Sequence, residues 1–382
     1  MSLRISGMEW VTPLGNGLDA VWQRLLRGEE AVPQTMAGPF GQKSYSAFRV
    51  PDDAMAGLPA HPRLRRASAI SRFAVAAGLA ALADAGLTID GQIAERIALI
   101  FAVANGGVTY TKRFYHDIVE TGAASASPLL FPETVFNAPA SHLAAILGVT
   151  GASYTLVGDG AVGVLAIQMA DDLLRSDALD YCLVVGAEEA DWVLCDAYRK
   201  WRLLRSEPPI EPFRKSARGT VLSEGAGAIL FGREGSIAID QIQPGSNFFV
   251  RKAARECATK VLSALAKTGT SVIISSANGT FVDAAERAAV LQAAPKAMIY
   301  SPKPALGESV GASGIWQVIT GALALRTQQL PPLLHSASEA GLRIPIGAPV
   351  KIRAEDAIIL DCGLNQQIAG LRLTVKNLKT AV

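Results

Sequence analysis

Cysteine is scarce in this chain. Only Cys182, Cys195, Cys257 and Cys362 occur among 382 residues, none in a CxxC pair, which argues against a disulfide framework and leads us to expect a reducing, cytoplasmic setting. Histidine is equally sparse. His61, His116, His142 and His335 lie far apart, so neither a metal site nor a bound cofactor is expected. No excess of one charge exists either. Lys and Arg number 36 against 34 Asp and Glu, for a net charge of +2, and without a basic stripe a nucleic-acid partner is excluded. Arg63, Arg65 and Arg66 form the one compact basic cluster, which reads as a solvated loop or as a dock for an acidic partner. Long apolar runs are missing as well. The start, Leu3-Arg4-Ile5-Ser6-Gly7, carries no charged n-region, and neither a signal peptide nor a membrane span is expected.

What is present is alternation. Apolar runs of strand length at 97–104, 180–185, 228–231, 272–274 and 357–360 are interleaved with helical stretches at 141–147, 162–174, 253–267, 284–293 and 311–327. Runs buried on both faces and separated by helices predict an α/β fold with helices layered on mixed sheets. Near the start, 3–5 and 9–11 read as a strand broken by Gly7, and 18–27 as a helix with Leu18, Val21, Trp22, Leu25 and Leu26 on one face. Residues 31–62 read as irregular covering and 68–85 as an Ala-rich helix. Glycine turns leading into small-residue helices occur at 158–163 and again at 307–314, a weak two-fold order with the join placed near 233–236, giving halves 1–235 and 236–382.

The chain is organised around Tyr154-Thr-Leu-Val-Gly-Asp-Gly-Ala-Val-Gly163, which reads as a buried strand, a sharp turn and a helix start. Such an elbow suits a nucleophile, because free N–H groups at a helix start stabilise a thiolate or an oxyanion. The apex here is Gly160, which has no side chain. Asp159 beside it reads as an N-cap, with a carboxylate nucleophile as the other reading.

Several motifs occur together and in order. They are Ile5-Ser-Gly-Met-Glu-Trp-Val-Thr-Pro-Leu-Gly-Asn-Gly17, Ala81-Leu-Ala-Asp-Ala-Gly86, Phe131-Pro132 with Asn137 and His142, Glu211-Pro-Phe213, Glu224-Gly-Ala-Gly227, Ala277-Asn-Gly-Thr280, Lys303 with Gly307, Gly311-Ala-Ser-Gly314, and Gly363. Nearly end to end, the chain resembles the β-ketoacyl synthases of the thiolase superfamily. The resemblance implies a thiolase-like layered α-β-α-β-α fold with two pseudo-duplicated halves. Active members carry a Cys at the elbow apex, one His in a His-Gly-Thr motif and another in a Lys-x-x-x-Gly-His motif. The thiolate takes an acyl chain from a carrier protein, and the imidazoles stabilise the enolate and oxyanion formed on decarboxylation. In this chain those positions are Gly160, Asn278 and Glu308, and only Lys303 survives. Loss of even one member of such a unit costs orders of magnitude in rate. Glu308 would add negative charge where negative charge must be accommodated.

The elbow resembles most that of chain length factors, the silent ketosynthase-like subunits of type II polyketide synthases. Asp159 stands where those typically have Glu and Gly160 where they have Gln, so a decarboxylating role for that amide has no counterpart here. Trimming around 200–210 and 236–252 resembles the compact subunits of aryl polyene and other highly reducing systems. The resemblance implies a heterodimer with a Cys-containing ketosynthase, an acyl carrier protein whose phosphopantetheine carries the growing chain, and a tunnel along the subunit interface. Tyr110, Thr111, Leu130 and Phe131 match the tunnel-lining regions, and ordinary core is their other reading. Two further readings stay open. One is an autonomous decarboxylase or acyltransferase using Asp159, Glu308 and Lys303 as a charged trio; the other is a homodimeric acyl-binding protein without chemistry.

Overall fold

The computed structural model describes residues 3–38, 41, 43–336 and 341–375. Its centre is a mixed sheet whose strand order is itself informative. Starting from one edge, Ser153–Val157 pairs in parallel with Ile97–Val103, which pairs in parallel with Tyr181–Glu188; then Gly225–Gly232 and Arg4–Thr12 follow, both antiparallel. From the other edge the order repeats. Met298–Tyr300, Val272–Ile274 and Asp356–Cys362 are parallel, and Gln367–Val375 and Ile237–Asn247 are antiparallel. The two series meet only where Arg4 and Ile5 face Ala238 and Ile237. The weak two-fold order of the glycine turns is thus a repeat of the whole strand plan.

Helices fill the layers between and outside. Val162–Leu174 and Ser313–Thr327 follow the outermost strand of each series and pack against each other between the two sets of strands. Every residue from Ser313 to Leu325 is buried, as a helix covered on all sides requires. The two helices touch at glycines. A Cβ on Gly163 would sit 3.2 Å from Ile315 N, and one on Gly314 would sit 2.3 Å from Asp361 Oδ2 and 3.4 Å from Gly163 Cα. Ala69–Asp84 covers the outer face of one set of strands, and Ala254–Leu265 with Phe281–Ala293 covers the other.

The structure departs from the sequence expectations in informative places. The first strand is not broken at Gly7 but runs from Arg4 to Thr12 with a register shift there. A Cβ on Gly7 would meet Ala81 O at 2.3 Å, so the glycine admits the Ala-rich helix rather than ending the strand. Within 31–62, Pro33–Ala37 and Ser44–Phe48 form a small sheet with Leu222–Ser223. Val108–Thr121, not expected as a helix, is one with no buried residue; its apolar residues Tyr115 and Val119 sit one turn apart and stay exposed. No helix among the described residues is long and apolar enough to cross a membrane.

Candidate active site

The strand, turn and helix start of the elbow form where the sequence places them, but the strand is not the buried one expected: no residue of Ser153–Val157 is fully buried, and Tyr154 and Val157 are exposed, because it is the outermost strand of the sheet. Ser153–Val157 ends at Gly158, the chain turns, and the helix begins at Val162 with Ala161 as its cap residue and no side-chain cap. Gly160 is buried at the apex. A side chain there would begin 3.2 Å from Gly363 Cα, a tight approach to which the loop must give by a few tenths of an ångström. Asp159 is not the N-cap. Its carboxylate instead accepts N–H groups from Leu364 (3.1 Å), Asn365 (2.7 Å) and Gln366 (3.2 Å), on the far side of the turn after Asp356–Cys362.

The other replaced positions converge in the second series of strands. Asn278 follows Val272–Ile274, Lys303 opens a one-turn helix after Met298–Tyr300, and Glu308 follows Gly307. Glu308 Oε2 accepts from Lys303 Nζ at 2.7 Å and from Asn278 Nδ2 at 2.6 Å, while Val310 N donates to Oε1 at 3.2 Å. Asn278 Oδ1 accepts from Thr280 Oγ1 at 2.6 Å, and Thr280 in turn caps Phe281–Ala293 through Val282 N. All three residues are almost wholly buried. Burial works against the Lys303 ammonium, yet the charge and hydrogen bond of Glu308 and the nearby acids hold its pKa above the usual lysine value. The negative charge expected from Glu308 is therefore compensated, and the carboxylate does not confront the cleft alone.

Beneath the apex lie groups that sequence reasoning missed. Asp361 is fully buried, neither of its oxygens has a hydrogen-bond partner among the described residues, and burial pushes its pKa well above the usual carboxylate value. Cys362 is the cysteine beside the elbow. Its Sγ faces Gly363 O at 3.6 Å, its N–H donates to Ser276 Oγ at 2.8 Å, and burial raises the thiol far above its ordinary value, which leaves no thiolate to replace the missing nucleophile. Glu286 accepts from the hydroxyls of Ser275 and Ser276 and is raised by burial to about 7. Its only advance signal is a carboxylate inside an amphipathic helix.

A cavity of about 730 Å³ opens above the elbow, lined by Asp159, Tyr198, Trp201, Phe249, Arg251 and Leu364 among others, a size suited to a small ligand. Asn278, Lys303 and Glu308 do not line it. The trio of Asp159, Lys303 and Glu308 is thus divided: two members neutralise each other in the interior and the third is tied to a loop. Tyr110, Thr111, Leu130 and Phe131 do not line this cavity either. Tyr110 borders a separate one of about 760 Å³ with Arg49, Arg72 and Phe73. Thr111 Oγ1 donates to Gly107 O at 3.0 Å. Leu130 is half-buried, and Phe131 is 57% exposed against Phe114. Among the described residues, no group of three or more His, Cys, Asp and Glu side chains could hold a metal ion.

Comparison with known proteins fits this geometry to a family. Residues 2–235 match the beta-ketoacyl synthase N-terminal domain and residues 242–337 the beta-ketoacyl synthase C-terminal domain. The chain belongs to the β-ketoacyl synthase family. Among its relatives in this family is the 3-oxoacyl-[acyl-carrier-protein] synthase 2 of Vibrio harveyi, 25% identical over 380 residues and 90% of each chain. Nodulation protein E of Rhizobium leguminosarum bv. trifolii is 27% identical over 229 residues, 58% of this chain and 56% of that one. Among solved structures, the ishigamide ketosynthase/chain length factor superposes with a TM-score of 0.87 at 19% identity, covering 98% of this chain and 99% of the other. A β-ketoacyl synthase from Burkholderia phymatum STM815 gives 0.87 at 20% identity, covering 98% and 100%. The fold is thus that of the thiolase-like ketosynthases.

Proposed function

We propose that this ketosynthase-family chain is a non-catalytic, chain-length-factor-like subunit that pairs with a Cys-containing ketosynthase and shapes the acyl chain growing from the partner's thiol. The observation that carries this reading is the elbow: its apex has no nucleophile, and the positions that serve catalysis in active members are spent on one buried, mutually satisfied Lys303–Glu308–Asn278 cluster. A frame so well kept around chemistry so thoroughly removed fits a structural partner. One solved structure of the same fold is that of the ishigamide ketosynthase/chain length factor, and another is that of a type II PKS acyl-carrier protein in complex with its ketosynthase.

Pairing would use the strand Ser153–Val157, which bonds to Ile97–Val103 on one side and has no neighbour among the described residues on the other. Tyr154 and Val157 on it, with Tyr115, Val119, Leu129, Phe131, Val135 and Phe136, are large apolar residues left exposed, and an open apolar edge calls for a partner. Tyr110, Thr111, Leu130 and Phe131 would become tunnel walls when the second subunit covers that face. The exposed Arg63, Arg65 and Arg66 suit an acidic carrier protein bearing the chain on phosphopantetheine. An aryl polyene or other highly reducing system is the subtype we favour.

The test is co-expression with a Cys-containing ketosynthase of a type II system. A one-to-one complex that condenses acyl and malonyl carrier proteins, while this chain alone and its Gly160→Cys variant do not, is the expected result. Robust turnover by the isolated chain would refute the proposal.

A further inference from the structure

We infer that the turn Leu364–Gln366 is a carboxylate receptor which Asp159 occupies in cis, closing the elbow cavity to any acyl carboxylate or thioester from outside. This does not depend on the partner proposed above.

Three successive backbone N–H groups converge on one carboxylate, Leu364 on Oδ1 at 3.1 Å and Asn365 and Gln366 on Oδ2 at 2.7 and 3.2 Å. Consecutive N–H groups turned to one side form a concave anion site, and bonds to an ionised acceptor are the strong class. The fit is close enough to dictate sequence. A Cβ on Gly363 would lie 2.1 Å from Asp159 Oδ2, so only glycine lets the carboxylate seat itself. Donor and acceptor lie more than two hundred residues apart in the chain, so the contact clamps the 363–366 turn down onto the apex and holds Gly363 Cα at 3.2 Å from where a side chain at position 160 would start.

The surroundings match a ligand of the same chemistry. Above the receptor the cavity of about 730 Å³ offers Trp201, Leu203, Phe249 and Leu364 as apolar wall and Arg251 at its border. The Arg251 guanidinium donates to Trp201 O at 2.6 Å and lies 5.2 Å from the centre of the Phe281 ring. N–H donors at one end, an apolar wall and a cation at the border would take an aliphatic carboxylate. Asp159 fills the polar end of that space with the protein's own acid.

The experiment uses the full chain and reads amide exchange at 364–366. In the Asp159→Ala protein, protection there should fall by about tenfold or more, the worth of a charged hydrogen bond. Sodium octanoate should restore it in that variant and leave the wild type unaffected, while 1-octanol and sodium chloride at equal concentration should not. Unchanged protection in the variant, or recovery with octanol equal to that with octanoate, or no recovery with octanoate, overturns the receptor. Should the Ala variant fail to fold, Asp159→Ser removes the carboxylate and leaves room for an outside one, with the same readings. A second measurement is independent of exchange. The four native cysteines are buried, so iodoacetamide reports only the thiol introduced by Gly160→Cys, and labelling should be about tenfold faster when Asp159→Ala is added. Equal rates with and without Asp159 would remove the clamp.

Discussion

The two outermost strands of the sheet occupy equivalent places in the repeated plan and have opposite fates. Ser153–Val157 exposes Tyr154 at 41% and Val157 at 54% and leaves its far edge unpaired. Met298–Tyr300 is covered, because Arg343 lies alongside it and its carbonyl accepts the Ile299 N–H at 2.8 Å. Each strand leads through a glycine turn into one of the two central helices. After the open strand comes an apex next to a cavity; after the covered one comes the sealed Lys303–Glu308 pair. One scaffold used twice has become an open, exposed edge in one half and a closed electrostatic plug in the other.

Breaking the open edge should have the largest effect. Tyr154→Asp combined with Val157→Glu would bury two unpaired charges in the proposed heterodimer, and we expect affinity for the ketosynthase partner to fall by at least about 100-fold. The isolated chain should keep its stability within about 0.5 kcal/mol, since the sites are exposed. Calorimetry and thermal unfolding check both halves of the statement.

The covered half should break differently. Glu308→Ala leaves the Lys303 ammonium buried and unpaired and should cost about 3–5 kcal/mol in urea unfolding, whereas Lys303→Met with Glu308→Leu should recover most of it. Between the halves, Gly314→Ala drives a methyl into Asp361 and should cost about 1–3 kcal/mol. A neutral result would mean that the two central helices have room to separate.

A pH titration gives the smallest effect. Burial raises Glu286 from 4.5 to about 7, so the folded chain holds this proton more tightly than the unfolded chain. The stability it contributes is complete below pH 4.5, declines as pH rises towards 7 and is gone above. Glu286→Gln should flatten that part of the stability profile, and an unchanged slope would assign it to the other buried acids.

Much of the fold was legible because it is written locally. The wholly buried strand Ile97–Val103 and the helix Val162–Leu174 announce themselves by apolar runs and small residues, and their limits agree with expectation within a residue. Ile237–Asn247 and Gln367–Val375 were not legible. The first has a largely exposed second half, and strands carrying glycine, glutamine and a buried arginine lack a period-two pattern.

The sequence by itself determined that this protein is an α/β chain whose elbow has Gly160 at its apex, with Asn278, Glu308 and Lys303 as the residues to examine. Those are facts about which side chains exist, and no folding can add a sulfur to glycine. Only the tertiary structure decided that Asp159 grips a turn some two hundred residues away, that Glu308 is neutralised by Lys303, that Asp361 and Cys362 lie under the apex, and that one edge strand stays open. Each of these depends on which distant segments share a dry interior, where a charge must find a partner or give up its ionisation.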